Sequence, residues 1–279
     1  MIARDVMSSP VWYVGPDETI AHARRMMVKH RISRLLVMKD GSLVGVLTKK
    51  NIALRFRDPE PVWRRRPIDR IPVEVFASKD PVVVSPDTGI KKIAKLFIDR
   101  NISCVPVVEN GEVAGIVTKT DLMKSALAKK LKRPVSEVMD EAVNLSRYHS
   151  LDHVIDSIGE NHDKIVVTNN DGTLAGVITE TNLAFFDPFS KRPGSEEKEV
   201  TFLRKEDAGG TKLNRYVFTA SVIAEDVMSH PVVSIGPGAL LSEAVAKMNE
   251  HRVNSLVVVE NNDILGILKR DNIIQEVAK

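Results

Sequence analysis

The sharpest alternation of apolar and polar positions lies between Pro81 and Leu122. Pro81-Val-Val-Val-Ser85 is a short apolar run that predicts a buried strand. Ile90, Ile93, Ala94 and Phe97 recur at i, i+3, i+4 and i+7, the spacing of one helical face. Thr88 stands where it can cap that helix. Ser103–Val108 predicts a second strand and Val113–Thr118 a third, joined by Asn110-Gly111. Both turn residues tolerate positive φ, which a two-residue hairpin requires. A closing helix starts near Lys119, so the unit is β-α-β-β-α.

The same order recurs three times. In the first copy Pro10–Val14 is the strand and Ile20, Ala23 and Met27 mark the helix; Ser33–Met38 and Leu43–Thr48 flank Asp40-Gly41. The third copy has Leu151, Val154, Ile155 and Ile158 on its helix and Asp171-Gly172 at its turn. The fourth has Leu241, Ala244, Val245 and Met248, with a turn near Asn262-Asp263. Each copy closes on one pattern. Gly115 leads to Thr118 and Asp121, Gly45 to Thr48 and Asn51, Gly176 to Thr179 and Asn182, and Gly266 to Lys269 and Asn272. Units of ~55 residues bury too little surface to stand alone, so neighbours must complete one another's cores. The expected class is α/β (α+β), four β-α-β-β-α repeats packed as two pseudo-twofold pairs. The expected boundaries are repeats at 1–54, 75–130, 132–186 and 223–279, a connector at 55–74 and a charged insertion at 187–222.

The connector holds Arg55, Arg57, Arg64, Arg65, Arg66 and Arg70 around Trp63, with Asp58, Glu60 and Asp69 among them. In the insertion, Val200–Leu203 and Arg215–Thr219 have the composition of a hairpin. The whole chain carries a net charge of only +3, too little by itself to imply a nucleic-acid partner. A lone cysteine, Cys104, excludes an internal disulfide and falls inside a strand, where it serves as a small apolar residue. No apolar run spans a bilayer, and the first residues carry charges rather than a signal-peptide core. The expected location is the cytoplasm. Motifs for dinucleotide or phosphate loops, zinc proteases and nucleophile elbows do not occur, and the seven His show no metal-ligand spacing. An enzyme is not expected, and neither a metal nor a cofactor.

The β-α-β-β-α unit, the openings Asp5-Val6-Met7 and Asp226-Val227-Met228, and the closing Gly-x-x-Thr-x-x-Asp resemble CBS (cystathionine β-synthase-like) domains. The resemblance covers nearly the whole chain outside the insertion. Its four-repeat layout is similar to that of the γ subunit of AMP-activated protein kinase. It implies paired repeats whose clefts hold AMP, ADP, ATP or S-adenosylmethionine, and an energy-sensing regulatory role toward a partner protein whose identity the sequence does not give. A homodimer is compatible with it.

The resemblance also implies roles for the closings: the Thr meets a phosphate and the Asp accepts ribose hydroxyls. Independently, Thr118 precedes helix-opening N–H groups that suit an anion, although Thr-x-x-Asp is equally a capping box that needs no ligand. Only the second repeat keeps both residues, so Thr118 and Asp121 are the first candidates. Val82, Val83, Ile102 and Val105 are expected to wall the adenine, with Arg34 or Lys119 at the phosphate. Thr48 with Asn51, Thr179 with Asn182, and Lys269 with Asn272 are weaker versions, since a neutral Asn accepts less strongly than a carboxylate. Aligning the helices places Asp163 near the position of Ile32, and the third repeat reads as mainly architectural. The alternative function is nucleic-acid binding through Arg64, Arg65 and Arg66 around Trp63.

Overall fold

The computed structural model of the chain describes residues 1–54, 70–125, 127–158, 163–186, 200–206, 212–218 and 222–279. Arg64, Arg65, Arg66 and Trp63 therefore lie outside the described residues. The first repeat comprises α1 (Ala3–Val6), β1 (Tyr13–Val14), α2 (Ile20–Lys29), β2 (Arg34–Lys39), β3 (Ser42–Thr48) and α3 (Lys49–Leu54). The second comprises β4 (Ser78–Lys79), α4 (Ile90–Asp99), β5 (Cys104–Glu109), β6 (Glu112–Thr118) and α5 (Lys119–Lys124). The third has β7 (Asn144–Ser146), α6 (Leu151–Ser157), β8 (Lys164–Thr168), β9 (Leu174–Thr179) and α7 (Glu180–Ala184). A hairpin of β10 (Val200–Glu206) and β11 (Lys212–Phe218) follows. The fourth repeat holds α8 (Ala224–Val227), β12 (Ser234–Ile235), α9 (Leu241–His251), β13 (Ser255–Glu260), β14 (Asp263–Lys269) and α10 (Arg270–Ala278).

Within a repeat the first strand runs parallel to the second, which pairs antiparallel with the third. A parallel pair needs a crossover, and the amphipathic helix supplies it. In the second repeat the first strand shrinks to one bridge, Val84–Val107, while β4 joins the sheet of the first repeat beside β3. The tight turns adopt the expected positive φ at Asp40-Gly41 and Asn110-Gly111. The fourth turn falls one residue earlier than expected, at Asn261-Asn262. Thr88 does not cap α4; Gly89 takes that position, and the Thr88 hydroxyl pairs with Ser85 at 3.1 Å.

Each repeat buries two faces against two different neighbours. The sheets of the first and second repeats meet through Leu36, Val46 and Cys104. Those of the third and fourth meet through Val166, Val177, Val257 and Ile267. On the helical side the second repeat packs on the fourth, joining Ile93, Phe97 and Leu122 to Leu241, Val245 and Ile273. The first packs on the third, joining Ile20, Met27 and Ile52 to Val154, Ile165 and Leu183. Among the described residues no helix is long and apolar enough to cross a membrane.

The segment that opens each repeat docks on the other member of its pair. Ala3 N–H donates to Thr88 and Arg4 N–H to Pro86, so the opening of repeat one lies on repeat two. Val73 and Glu74 donate to Glu18 and Pro16 in return. Val135 and Ser136 donate to Ala239 and Pro237, while Ala224 and Glu225 donate to His149 and Arg147. These segments then pass directly over the strand glycines. A Cβ on Gly45 would stand 2.9 Å from the Ser78 carbonyl oxygen, and one on Gly266 2.6 Å from that of Asp140. On Gly115 it would stand 2.7 Å from Met7 Sδ, and on Gly176 it would run into Met228. The recurring glycine is therefore a crossing point where only a hydrogen fits. Gly45→Ala and Gly266→Ala, which meet backbone oxygens, should each lose about 1–3 kcal/mol of stability. Gly236→Ala, with nothing within 4 Å of the added atom, should stay within about 0.5 kcal/mol of wild type; urea unfolding of the three proteins compares them.

Candidate nucleotide cleft and its cationic cavity

In each closing motif the last strand residue bonds the side chain three places on. The Thr118 hydroxyl and N–H both donate to Asp121 Oδ2, at 2.6 and 2.8 Å. Thr48 donates likewise to Asn51 Oδ1 at 2.6 and 2.8 Å, and Thr179 to Asn182 Oδ1 at 2.7 and 3.0 Å. Lys269 has no hydroxyl, and its N–H alone reaches Asn272 Oδ1, at 2.7 Å. The last residue of each motif also touches the partner repeat. Ser8 Oγ donates to Asp121 Oδ1 at 3.4 Å, and Asn51 Nδ2 to Ser78 Oγ at 3.3 Å. Asn182 Nδ2 donates to Ser229 Oγ at 2.9 Å and to the Val227 carbonyl at 2.8 Å. Asn272 Nδ2 donates to Asp140 Oδ1 at 2.9 Å. Every cleft is thus composite: one repeat closes it and the other supplies the facing strand.

This differs from the wall expected for Thr118 and Asp121. Their motif faces Ser8 of the first repeat rather than the first strand of its own. Val105 is completely buried in the core. Val82 and Ile102 pack on that same core, and Val83 lies half exposed at the surface. On the first-repeat side Trp12 takes the register position that Val233 holds in the fourth, each accepting a bond from the second strand. Its ring stacks on His30, with centroids 3.4 Å apart and planes 22° apart.

A cavity of about 700 Å³ opens instead on the third and fourth repeats. Pro231, Val232, Val233 and Val253 form an apolar side opposite Thr179, Thr181 and Asn182. The closing motif of the third repeat, which sequence reads as mainly architectural, lines this cavity. From there the cavity extends toward the other pair, where Arg31, Arg34, Lys49 and Lys124 join Arg252 and Arg270. No carboxylate is among the described residues lining it. Of the residues singled out from sequence, the cavity gathers Arg34, Thr179 and Asn182. Thr118, Asp121, Thr48, Asn51, Lys269 and Asn272 stand outside its lining, and so does Lys119. Lys119 is nearly buried and ion-paired to Asp271 at 2.7 Å; burial lowers its pKa against the opposing pull of that carboxylate.

The cations carry signs of constraint. Burial, and then Arg34, lower the pKa of Lys49. Arg31 and Arg252 hold φ of 53° and 55°, a left-handed conformation unusual for Arg. The Arg270 pKa is pushed down to about 10, mainly by burial and next by Arg34. Its Nη1 donates to Thr120 Oγ1 at 2.7 Å, but its Nε is buried with no partner among the described residues. An N–H left so costs about 1–3 kcal/mol. Sequence reading missed Arg31, Lys49, Lys124, Arg252 and Arg270, although for two of them a signal existed: Lys49 and Arg270 directly follow the closing residue of their strands, as Lys119 does, which was singled out.

The fourth cleft is filled by its own charges. Lys269 Nζ lies 2.8 Å from Asp140 and 3.6 Å from Asp163, and Lys164 also pairs with Asp163. Lys269 is thereby engaged within the protein instead of standing free for a phosphate. Strand register puts Lys164 opposite Thr179 as Arg34 is opposite Thr48. Asp163 consequently matches Ser33, one place on from the Ile32 position that helix alignment gave. Burial alone would raise the Asp163 carboxyl; Lys164 and Lys269 outweigh it and hold the pKa below the ordinary value. Its stabilisation is complete above the unfolded pKa of about 4 and fades as pH falls through the lower folded value. Asp163→Asn should flatten the acid limb of stability, measured as urea midpoints between about pH 2.5 and pH 6. Lys269→Met, which removes one of the two cations that hold the Asp163 pKa down, should move the loss of stability to higher pH in the same measurement.

A model of the CBS domain matches residues 3–58, 73–128, 135–187 and 224–279. The matches cover more than half of the sequence, and the chain belongs to the CBS domain family. The CBS domain-containing protein YhcV of Bacillus subtilis is 29% identical over 119 residues, 43% of this chain and 81% of that protein. The human 5'-AMP-activated protein kinase subunit gamma-3 is 26% identical over 194 residues, 62% of this chain and 39% of that one. The chain thus spans well under half of the kinase subunit. The crystal structure of MJ1225 from Methanocaldococcus jannaschii superposes with a TM-score of 0.74, covering 99% of each chain at 18% identity. At that identity the likeness is one of fold.

Proposed function

We propose that the chain is a non-enzymatic regulatory sensor of adenosine nucleotides that signals to a partner protein. The observation that carries this reading is the cavity where Arg31, Arg34, Lys49, Lys124, Arg252 and Arg270 converge with no lining carboxylate among the described residues. Adenine rests on Pro231, Val232, Val233 and Val253, the ribose meets Thr179 and Asn182, and the phosphates enter the cationic region. The charge favours AMP, ADP or ATP over S-adenosylmethionine, whose sulfonium is itself cationic. The kinase subunit among the relatives, AMP-activated by name, supports the adenosine part of the reading.

The cleft closed by Thr118 and Asp121 is a second candidate. It has the carboxylate that Asn182 lacks, and the Trp12–His30 stack offers an aromatic surface for a base.

Calorimetry with AMP, ADP, ATP and S-adenosylmethionine tests the assignment. The phosphorylated ligands should bind more tightly than S-adenosylmethionine, by a margin that shrinks as salt rises. Asn182→Ala should weaken them by roughly 2–10-fold, the worth of a neutral hydrogen bond. Asp121→Asn should leave the tighter of two binding events intact. Loss of that event in Asp121→Asn, with Asn182→Ala silent, would move the principal site to the first pair.

A further inference from the structure

We propose that two copies of this chain associate about a twofold axis, with the basic outer helices of the first pair on one copy seated against the acidic outer helices of the second pair on the other. The proposal goes beyond the nucleotide reading and does not depend on it.

Behind it lies a division of charge that the small net value hides. Leaving aside residues 55–69 and 187–221, residues 1–131 hold 19 Lys and Arg against 11 Asp and Glu, and residues 132–279 hold 9 against 17, so the pairs carry +8 and −8. Part of this bias is used at the seam between the pairs. Lys50 faces Glu180 at 3.8 Å and Lys119 faces Asp271 at 2.7 Å, each cation coming from the first pair and each anion from the second. Another part stays on the outside. The crossover helices α2, α4, α6 and α9 hold the same place in their repeats and differ in sign. At the sixth helical position stand Arg25 in α2, Lys95 in α4 and Asp156 in α6; at the second, α4 has Lys91 and α6 has Asp152. Helix α9 adds Glu243 and Glu250. All of these side chains are exposed, and none makes an ion pair among the described residues. One backbone position accepts either sign, so the fold does not dictate the charge. Each basic helix also displays an apolar residue at its ninth position, Val28 at 64% exposure and Ile98 at 38%.

Opposite charges on the outer faces of one body do little to neutralise each other, because at ~0.1 M salt their fields fade within about 10 Å. A second copy turned end for end brings both signs together, and a closed twofold makes the contact twice. A copy set the other way meets like charge, so the same faces select orientation as well as partner. A duplex nucleic acid or an anionic membrane uses only the basic pair and is repelled by the acidic one.

Sedimentation velocity of the full chain without nucleotide, at about 25 mM and about 500 mM salt, tests the proposal. The wild-type protein should be a dimer at the lower salt and a monomer at the higher. Arg25→Glu, Lys91→Glu and Lys95→Glu together should weaken the dimer about ten-fold or more, and so should Asp152→Lys, Asp156→Lys and Glu243→Lys. A chain carrying all six keeps the wild-type net charge with the signs exchanged, and should recover the dimer. All six sites are exposed, so each variant should melt near the wild-type temperature. A wild-type chain that is monomeric at both salts, a dimer that every variant retains, or a folded six-site variant that stays monomeric would each overturn the proposal. A monomer that binds duplex DNA or anionic vesicles through Arg25, Lys91 and Lys95 would give the basic face to a polyanion and overturn it as well. None of the six residues lines the cavity, so nucleotide calorimetry on the same variants reads the sensor assignment independently.

Discussion

The close crossing of one repeat's opening segment over its partner's strand glycine is the constraint on which the rest depends. The crossing needs two conditions at once: backbone hydrogen bonds from residues such as Ala3, Val73, Val135 and Ala224, and a missing Cβ beneath them. Where both hold, the segment lies flat enough for Ser8, Ser78, Ser229 or Asp140 to meet the closing motif of the other repeat. The sheets can then bury Leu36 and Cys104 on one side and Val166 and Val257 on the other. The cleft is a by-product of this exchange, since its two walls come from different repeats.

That exchange explains how nearly identical closings reach different outcomes. Thr179 and Asn182 face the apolar Pro231–Val233 segment and open on a cavity lined with cations. Lys269 and Asn272 face Asp140 and Asp163 and are locked in ion pairs. The third repeat contributes to both, its closing end to the open cleft and its strand start to the filled one. A repeat therefore contributes to two clefts, and its two ends bring different surroundings to them.

Much of the fold was legible because it is written in local rules. The helical faces of Ile20, Ile90 and Leu241 and the turns at Asp40-Gly41 and Asn110-Gly111 follow from periodicity and from tolerance of positive φ. The hairpin of β10 and β11 was also visible, though it extends to Glu206, beyond the Leu203 limit read from sequence. The glycine pattern could be seen, but its cause could not, because what crowds Gly45 is Ser78, in another repeat. The site was legible as a set of motifs and illegible as a partnership. Spacing within a repeat says which residues share an element, and nothing in it says that Asp121 will meet Ser8. The cavity cations were harder still: Arg31, Lys124 and Arg270 converge only after the two pairs have packed, on contacts such as Lys119–Asp271 that span 152 positions of sequence.

The exchange of opening segments also sets the smallest piece of this chain that can be inherited or lost intact. Removing a single repeat strips the remaining member of its pair of one wall from each cleft and uncovers a glycine whose neighbour has vanished. Duplication, deletion or grafting of a lone repeat therefore damages two sites at once, whereas a pair transfers with its internal crossings whole. Divergence is less restricted. A substitution at the closing end of one repeat alters one cleft and spares the other, so the clefts of a single pair can acquire different chemistry without either repeat losing its place in the fold.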